Sequence, residues 1–450
     1  MTWTICDSTS VARLADASNR QSAIGNRQSE FSRRDVLRMA AGLGMSFLLP
    51  ALEGRAANER GPARAKSLLL LWMGGGPSQL ETWDPHPGKK IGGPTKSIKT
   101  KIEGLEIADL FPKTAEHLQH LNVIRSMVSK EGDHERGTYL LKTGYRPDPT
   151  LIHPSLGAIL AHQYEVAGET SLEIPRFISL VPGPWPGRGG FLGDQFDAFK
   201  VFDPRETLHN MEARVGPQRQ ERRIKSLDVL ENTFAQRRRI QTEATLHRDT
   251  VKRALTMMTS DQLKAFRDVD KEPQALRDAY GDSQFGRGCL VARRLLEVGV
   301  RAVEVELNGF DTHAQNFSGH KTQADILDPA FATLINDLQE HDLLASTVVL
   351  CIGEFGRTPS INALNGRDHW PTGFSAVVGG GGFRSGLVIG ATDPEGKKTE
   401  PEDPIEVADL FATILHTVGI EHNRELQTPI GRPMKLSAGK VLDRLLEPKV

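Results

Sequence analysis

Ser67-Leu68-Leu69-Leu70-Leu71-Trp72-Met73, followed at once by Gly74-Gly75-Gly76-Pro77, is where the fold can first be read. An unbroken apolar run closed by glycines and a proline suits a strand buried on both faces of a parallel sheet, where no side chain alternates out to water. Comparable runs recur at 177–181, 302–307, 347–352 and 374–378, each followed by Gly, Pro, Asn or acidic residues. Helical stretches lie between them at 114–121, 153–164, 284–298 and 325–344. Such alternation predicts an α/β fold with a mostly parallel central sheet and helices on both faces. Ligands of such sheets bind outside the carboxyl ends of the strands.

The chain has 450 residues, enough for one large α/β domain with insertions. Hydrophobic residues make up 38% and charged residues 25%, which excludes disordered, collagenous and multi-span membrane proteins. Lys plus Arg (56) nearly cancel Asp plus Glu (57), so no net field draws the chain to nucleic acid. Of three cysteines, Cys6 lies in a leader, so Cys289 and Cys351 can form at most one disulfide.

Residues 1–65 read as that leader. Ser32-Arg33-Arg34-Asp35-Val36-Leu37 precedes a Gly/Ala-rich apolar run, Met39 to Leu49, too short to span a bilayer. With small residues at Gly54, Ala56 and Ala57, this is the pattern of a twin-arginine export signal, cleaved between Ala56 and Ala65. The expected location is periplasmic or extracellular, with the twin-arginine translocase as a partner during export. Because that route carries folded proteins, it favours a chain with a metal or other cofactor. Asn-Arg-Gln-Ser occurs twice before Phe31 in a polar stretch read as unstructured, consistent with a start site placed too early. The body, 66–450, is interrupted at 203–280 by a polar, Arg-rich helical insertion. Its basic runs are interleaved with Glu212, Glu221, Glu231 and Glu243, so a solvated face is expected rather than a nucleic-acid surface.

Chemistry concentrates after the predicted strands. Asn308-Gly309-Phe310-Asp311-Thr312-His313 follows one, Gly353-Glu354-Phe355-Gly356-Arg357-Thr358-Pro359 another, and Gly366-Arg367-Asp368-His369-Trp370-Pro371 comes soon after. Asp311, His313, Glu354, Asp368 and His369 would then meet at one end of the sheet, as ligands for a divalent ion such as Zn, Ca, Mn or Mg. Each piece has a plainer reading. Asp311 and Thr312 are both helix N-cap residues, and Asp368 with His369 can be a loop pair holding Trp370. Gly379 to Gly382 lacks a following Lys-Ser/Thr and reads as a tight connection. Backbone N–H groups at Gly74 to Gly76 can hold an oxyanion for attack by Ser78, although no base lies near it in sequence.

Gly74-Gly75-Gly76-Pro77-Ser78-Gln79-Leu80-Glu81-Thr82-Trp83-Asp84-Pro85, with the Asp-Thr-His, Gly-Glu-Phe-Gly-Arg-Thr-Pro and Gly-Arg-Asp-His-Trp-Pro motifs, resembles the secreted family called domain of unknown function 1501. The likeness runs from about Ser32 to the end. Through that family the chain resembles the alkaline phosphatase and sulfatase superfamily. Leu140 to Pro147 and 405–420 are similar to two sulfatase segments, and Gly431-Arg432-Pro433 resembles the Gly-Arg-Ser that follows the second.

The resemblance implies a secreted metal-dependent hydrolase acting on phosphate or sulfate esters, an anionic ester such as a sulfated or phosphorylated glycan. It places Glu354 where the superfamily has a metal-binding Asp and His369 where phosphatases have a late His ligand. Asp311 with His313 is similar to their Asp-x-x-x-His pair at shorter spacing. It makes Arg136 and Arg357 candidates for gripping anionic oxygens, although Arg357 can equally pair with Glu354. Two departures stand out. The first strand ends in Met73-Gly74-Gly75 instead of a ligand Asp, leaving Glu81 or Asp84 to supply it, and His134 occupies the nucleophile slot. A histidine there can accept a phosphoryl group, act as a base, or be another ligand. The competing expectation is a non-catalytic extracytoplasmic binding protein that retains the fold.

Overall fold

The computed structural model describes residues 65–448 except 207, 209–210, 212–213 and 238–246, so the leader read at 1–65 lies almost wholly outside the described residues. At its centre is a nine-stranded sheet: β1 (Ser67–Gly74), β2 (Leu121–Val128), β3 (Phe177–Leu180), β4 (Phe199–Val201), β5 (Ala302–Asn308), β6 (Thr347–Ile352), β7 (Phe374–Gly379), β8 (Val388–Ile389) and β9 (Ile405–Glu406). The spatial order is β8-β2-β7-β6-β1-β5-β3-β4, with β9 also paired to β2. Strand β1 is central and parallel to both neighbours, with Gly74 opposite Asn308 and Trp72 opposite Ile352. Leu69 and Leu71 are fully buried, as a strand covered on both faces requires.

The sheet departs from the sequence reading in strand direction and in strand number. Strand β7 runs antiparallel to both β2 and β6, the one reversed member of the sheet. Strand β2 was not expected, since 114–121 was read as a helix. The helix there is a single turn, Pro112–Ala115, and Leu121 begins a strand. Buried Asn122 and Ser126 disguise it by interrupting the apolar run. Asn122 is accounted for by hydrogen bonds: its amide donates to the Arg384 carbonyl and accepts from Leu387 N–H, tying down the chain that enters β8.

The principal helices are α1 (His134–Thr143), α2 (Leu156–Val166), α3 (Pro217–Arg237), α4 (Gln284–Glu297), α5 (Asn316–Glu340) and α6 (Val407–Thr417). Helix α5 begins nine residues before the expected position 325, because its polar first turns carry no apolar stripe. Helix α3 belongs to a compact unit distinct from that of the sheet, and leaves Val229 and Leu230 exposed. The later part of the expected insertion is not a surface appendage. Leu263, Phe266, Val269 and Tyr280 are buried, and the Tyr280 hydroxyl donates to Asp337 of α5, which also accepts from buried Arg293 of α4. Cys289 and Cys351 are both buried and unbridged. Among the described residues no helix is long and apolar enough to cross a membrane.

Candidate metal centre

The carboxyl ends of β1, β5 and β6 meet at one point. Gly309 and Phe310 N–H both donate to the Gly74 carbonyl, which folds the chain after β5 against the end of β1. Gly75 makes that approach possible: its φ is +108°, and a Cβ there would lie 2.5 Å from the Asp311 nitrogen. No side chain fits at Gly75 itself, so the end of β1 offers no ligand there. After β6, Gly356–Arg357 pairs antiparallel with His369–Trp370, setting His369 opposite Arg357. Helix α1, capped by Asp133 accepting from Arg136 N–H, brings His134 as its first residue.

One atom each from His134, Asp311 and His369 lie within 4.8 Å of one another. His134 Nε2 is 3.4 Å from Asp311 Oδ2, and His369 Nε2 is 3.5 Å from Asp311 Oδ1. Both imidazoles are oriented from behind. His134 Nδ1 donates to Glu354 Oε1 at 2.7 Å, and His369 Nδ1 donates to the Gly132 carbonyl at 2.6 Å. With the proton on Nδ1, each ring presents its Nε2 lone pair, and both Nε2 atoms are buried with no hydrogen-bond partner. The carboxylate is held likewise. Asp311 Oδ1 accepts from Arg357 Nη2 at 2.6 Å and lies 2.8 Å from His313 Nδ1. Three donor atoms of metal-ligating type therefore converge, each fixed by a second group.

The titration shifts follow from these contacts. The hydrogen bond donated to Glu354 raises His134, with the charges of Glu354 and Asp311 adding to it against burial. Burial lowers His369, the hydrogen bond to the Gly132 carbonyl opposes it, and the charge of Arg357 adds to the lowering. Partial burial pushes Asp311 upward, but the Arg357 hydrogen bond and charge outweigh it, leaving the carboxyl below its ordinary value.

The expected site residues divide. Asp311, His313, Glu354 and His369 come together, with His134 among them. Asp368 does not: it is exposed, and its backbone pairs with Thr358. Glu354 is 2% exposed and stands behind His134, accepting from Gly75 N–H as well. Arg357 is wholly buried, with its guanidinium spent on the carbonyls of Gly75, Gly76 and Arg367 and on Asp311, so it braces the site and does not reach out of it. Arg136 lies on the surface and donates twice to Glu131. Ser78 is fully buried, its N–H donating to His320 Nε2 and its hydroxyl unpartnered. Neither substitute for the missing strand-end ligand is available. Glu81 pairs with buried Arg367 at 2.9 Å, and Asp84 accepts from Thr392 and faces Arg125.

Sequence reading missed two supporting residues, Gly132, which acts through its own carbonyl, and Gln79, whose side chain meets the backbone of Arg357. The Gln79 amide donates to the Arg357 carbonyl and accepts from its N–H, standing in for a strand partner.

A model of the family described as "Protein of unknown function (DUF1501)" matches residues 65–446. No curated protein matches the sequence. Among solved structures, the chain is similar to Ps i-CgsB at 9% identity, covering 79% of this chain and 72% of that one, with a TM-score of 0.39. It is similar to a Vibrio parahaemolyticus protein in the alkaline phosphatase superfamily at 11% identity, covering 86% and 72%, with a TM-score of 0.37. It is also similar to the lipoteichoic acid synthase LtaP from Listeria monocytogenes at 10% identity, covering 80% and 73%, with a TM-score of 0.36.

Proposed function

Since the chain belongs to the family of unknown function DUF1501, its activity has to be read from its own side chains, and we propose a metal-dependent hydrolase of phosphate or sulfate esters. The observation that carries this reading is the pair of unpartnered imidazole Nε2 atoms converging on Asp311 at the strand ends. Two imidazoles and one carboxylate suit Zn or Mn better than Ca, which takes six to eight oxygens. A divalent ion held by His134, Asp311 and His369 supplies Lewis acidity toward an ester oxygen and a more acidic water.

The chain's own groups do the rest. Glu354 and the Gly132 carbonyl keep both rings in the ligating tautomer, and buried Arg357 keeps Asp311 ionised. His313, half exposed and 2.8 Å from Asp311, is placed to hand a proton to a leaving oxygen. Arg136, on the exposed first turn of α1, is paired with Glu131 and would have to leave that carboxylate to meet anionic oxygens. Among the described residues no Ser, Thr or Cys is in the converging set, so water is the attacking group. The same lack of a hydroxyl or thiol is what favours the alternative, a binding protein that keeps the ion without turnover.

Metal analysis of purified protein, with a panel of aryl phosphate and sulfate esters, separates the two. Hydrolysis lost in both Asp311→Ala and His369→Ala, along with the bound ion, supports the hydrolase. Stoichiometric metal with no turnover of any ester supports the binding protein, and absence of metal under every loading condition sinks both. We further propose export by the twin-arginine route, testable by fusing residues 1–65 to a reporter and replacing Arg33 and Arg34 with Lys.

A further inference from the structure

A cavity of about 610 Å³ opens beside α1, and none of its lining residues belongs to the metal cluster. The size is that of a site for an organic ligand, not for a single ion. The same short segment serves both places. His134 starts α1 at the metal cluster, whereas Leu140 and Gly144 toward its other end line the cavity, about 9 and 15 Å along the axis at 1.5 Å rise per residue.

The lining is built for an anion. His153 is 3% exposed, and its Nε2 is buried without a partner. Its tautomer follows from its neighbours. The Tyr139 hydroxyl accepts from His153 N–H, so its own proton goes to His153 Nδ1, and the ring proton sits on Nε2 as an unspent donor. Lys130 and Arg432 line the same cavity, and neither is paired with a carboxylate among the described residues. Val407 and Ala408, the first two residues of α6, also reach it. That helix start has no side-chain cap, so its N–H groups add a second source of positive potential.

Other groups point to a carbohydrate carrier for that anion. Tyr145 and His153 stack at 4.5 Å and 10°, giving a flat apolar wall. Glu406 and Asp148 supply acceptors for hydroxyls, although Asp148 already accepts twice from Thr150. A ligand bearing both hydroxyls and anionic groups uses the whole lining, whereas a bare anion would be repelled by the two carboxylates.

We propose that this cavity is a subsite for an oligosaccharide carrying sulfate or phosphate groups, holding the chain about 9–15 Å from the reacting ester. Its use in turnover rests on the hydrolase reading, but binding at the cavity does not. The test is calorimetric titration of the full chain with a sulfated hexasaccharide, its phosphorylated counterpart and the uncharged parent, with and without chelator. At least one charged probe is expected to bind ten times more tightly than the parent, with or without metal, and whichever does so identifies the anion. Arg432→Glu and Lys130→Ala, at exposed positions where folding is not at stake, each weaken that binding about tenfold, while Asp311→Ala leaves it within twofold. No binding of any probe, equal binding of the uncharged parent, or indifference to both cavity substitutions overturns the subsite. Binding that needs the metal or Asp311 also overturns it, because the probe is then held at the cluster. Binding with these properties in a protein that turns over no ester leaves the subsite standing and removes the hydrolase.

Discussion

Replacing Glu354 by Gln tests how the candidate metal centre is assembled. The carboxylate accepts from Gly75 N–H at 2.9 Å and from His134 Nδ1 at 2.7 Å, and its other oxygen is buried without a partner. Glutamine can keep one oxygen on both donors, so the ring stays placed, but the hydrogen bonds lose their ionic assistance and fall to about half their strength. It also puts amide hydrogens where no acceptor waits, at about 1–3 kcal/mol. Loss of a group that orients a ligand weakens metal binding by about 10–100-fold, or roughly 1.4–2.7 kcal/mol. Glu354→Ala removes the acceptor altogether and strands two buried donors, so its loss is larger. Chelator competition at pH 8 reads the affinity, and nitrogen-15 spectra of the histidines read the tautomer. A folded Gln variant with a metal affinity within twofold of the parent would refute the bracing role. A loss far beyond a hundredfold with the His134 tautomer unchanged would instead make Glu354 a ligand itself.

Gly75→Ala should lower the unfolding midpoint and metal occupancy together, since the strained φ alone costs about 1–3 kcal/mol and the new methyl meets the Asp311 backbone; a stable, fully loaded variant would contradict the close approach. Arg367→Met leaves the Glu81 carboxylate uncompensated in the interior and should cost about 3–5 kcal/mol by denaturant titration, most of it recovered on adding Glu81→Gln. pH should separate loaded from metal-free protein. His134 titrates above its unfolded value near 6.5 without metal, so its contribution is complete below about pH 6.5 and lost as pH rises through the folded value. Metal binding needs the neutral rings and strengthens in that same direction. The gap in thermal midpoint between the two forms should therefore widen from pH 6 to pH 9, and a constant gap would count against His134 as a ligand. Asp311, held below its ordinary value, adds stability above about pH 4 that disappears as pH falls through the folded value.

Which parts of this molecule are legible in its sequence depends on how far each fact reaches along the chain. The central strands announce themselves because burial on both faces leaves an unbroken apolar run, as in Leu68 to Met73. Strand direction leaves no such mark, so 374–379 reads as a strand without revealing that it is reversed. Asp311 and His369 are found from their positions just after strands, a rule of the fold class that needs no coordinates. The division of labour among the acidic and basic groups is different, because it is settled between residues 220 and 46 positions apart in the pairs His134–Glu354 and Asp311–Arg357. A glutamate after a strand and an arginine three residues later have the same local sequence whether they grip a ligand or stand behind one. Burial decides between these roles. Arg357, with no exposed surface and four acceptors already met, has nothing left to offer a substrate, whereas the Nε2 atoms of His134 and His369 make no hydrogen bond and face the Asp311 carboxylate at 3.4 and 3.5 Å. The unsatisfied atoms, more than the residue types, therefore locate the chemistry. The same criterion applied to His153 leads to the cavity beside α1, whose walls include residues of the segments 140–147 and 405–420 and Arg432.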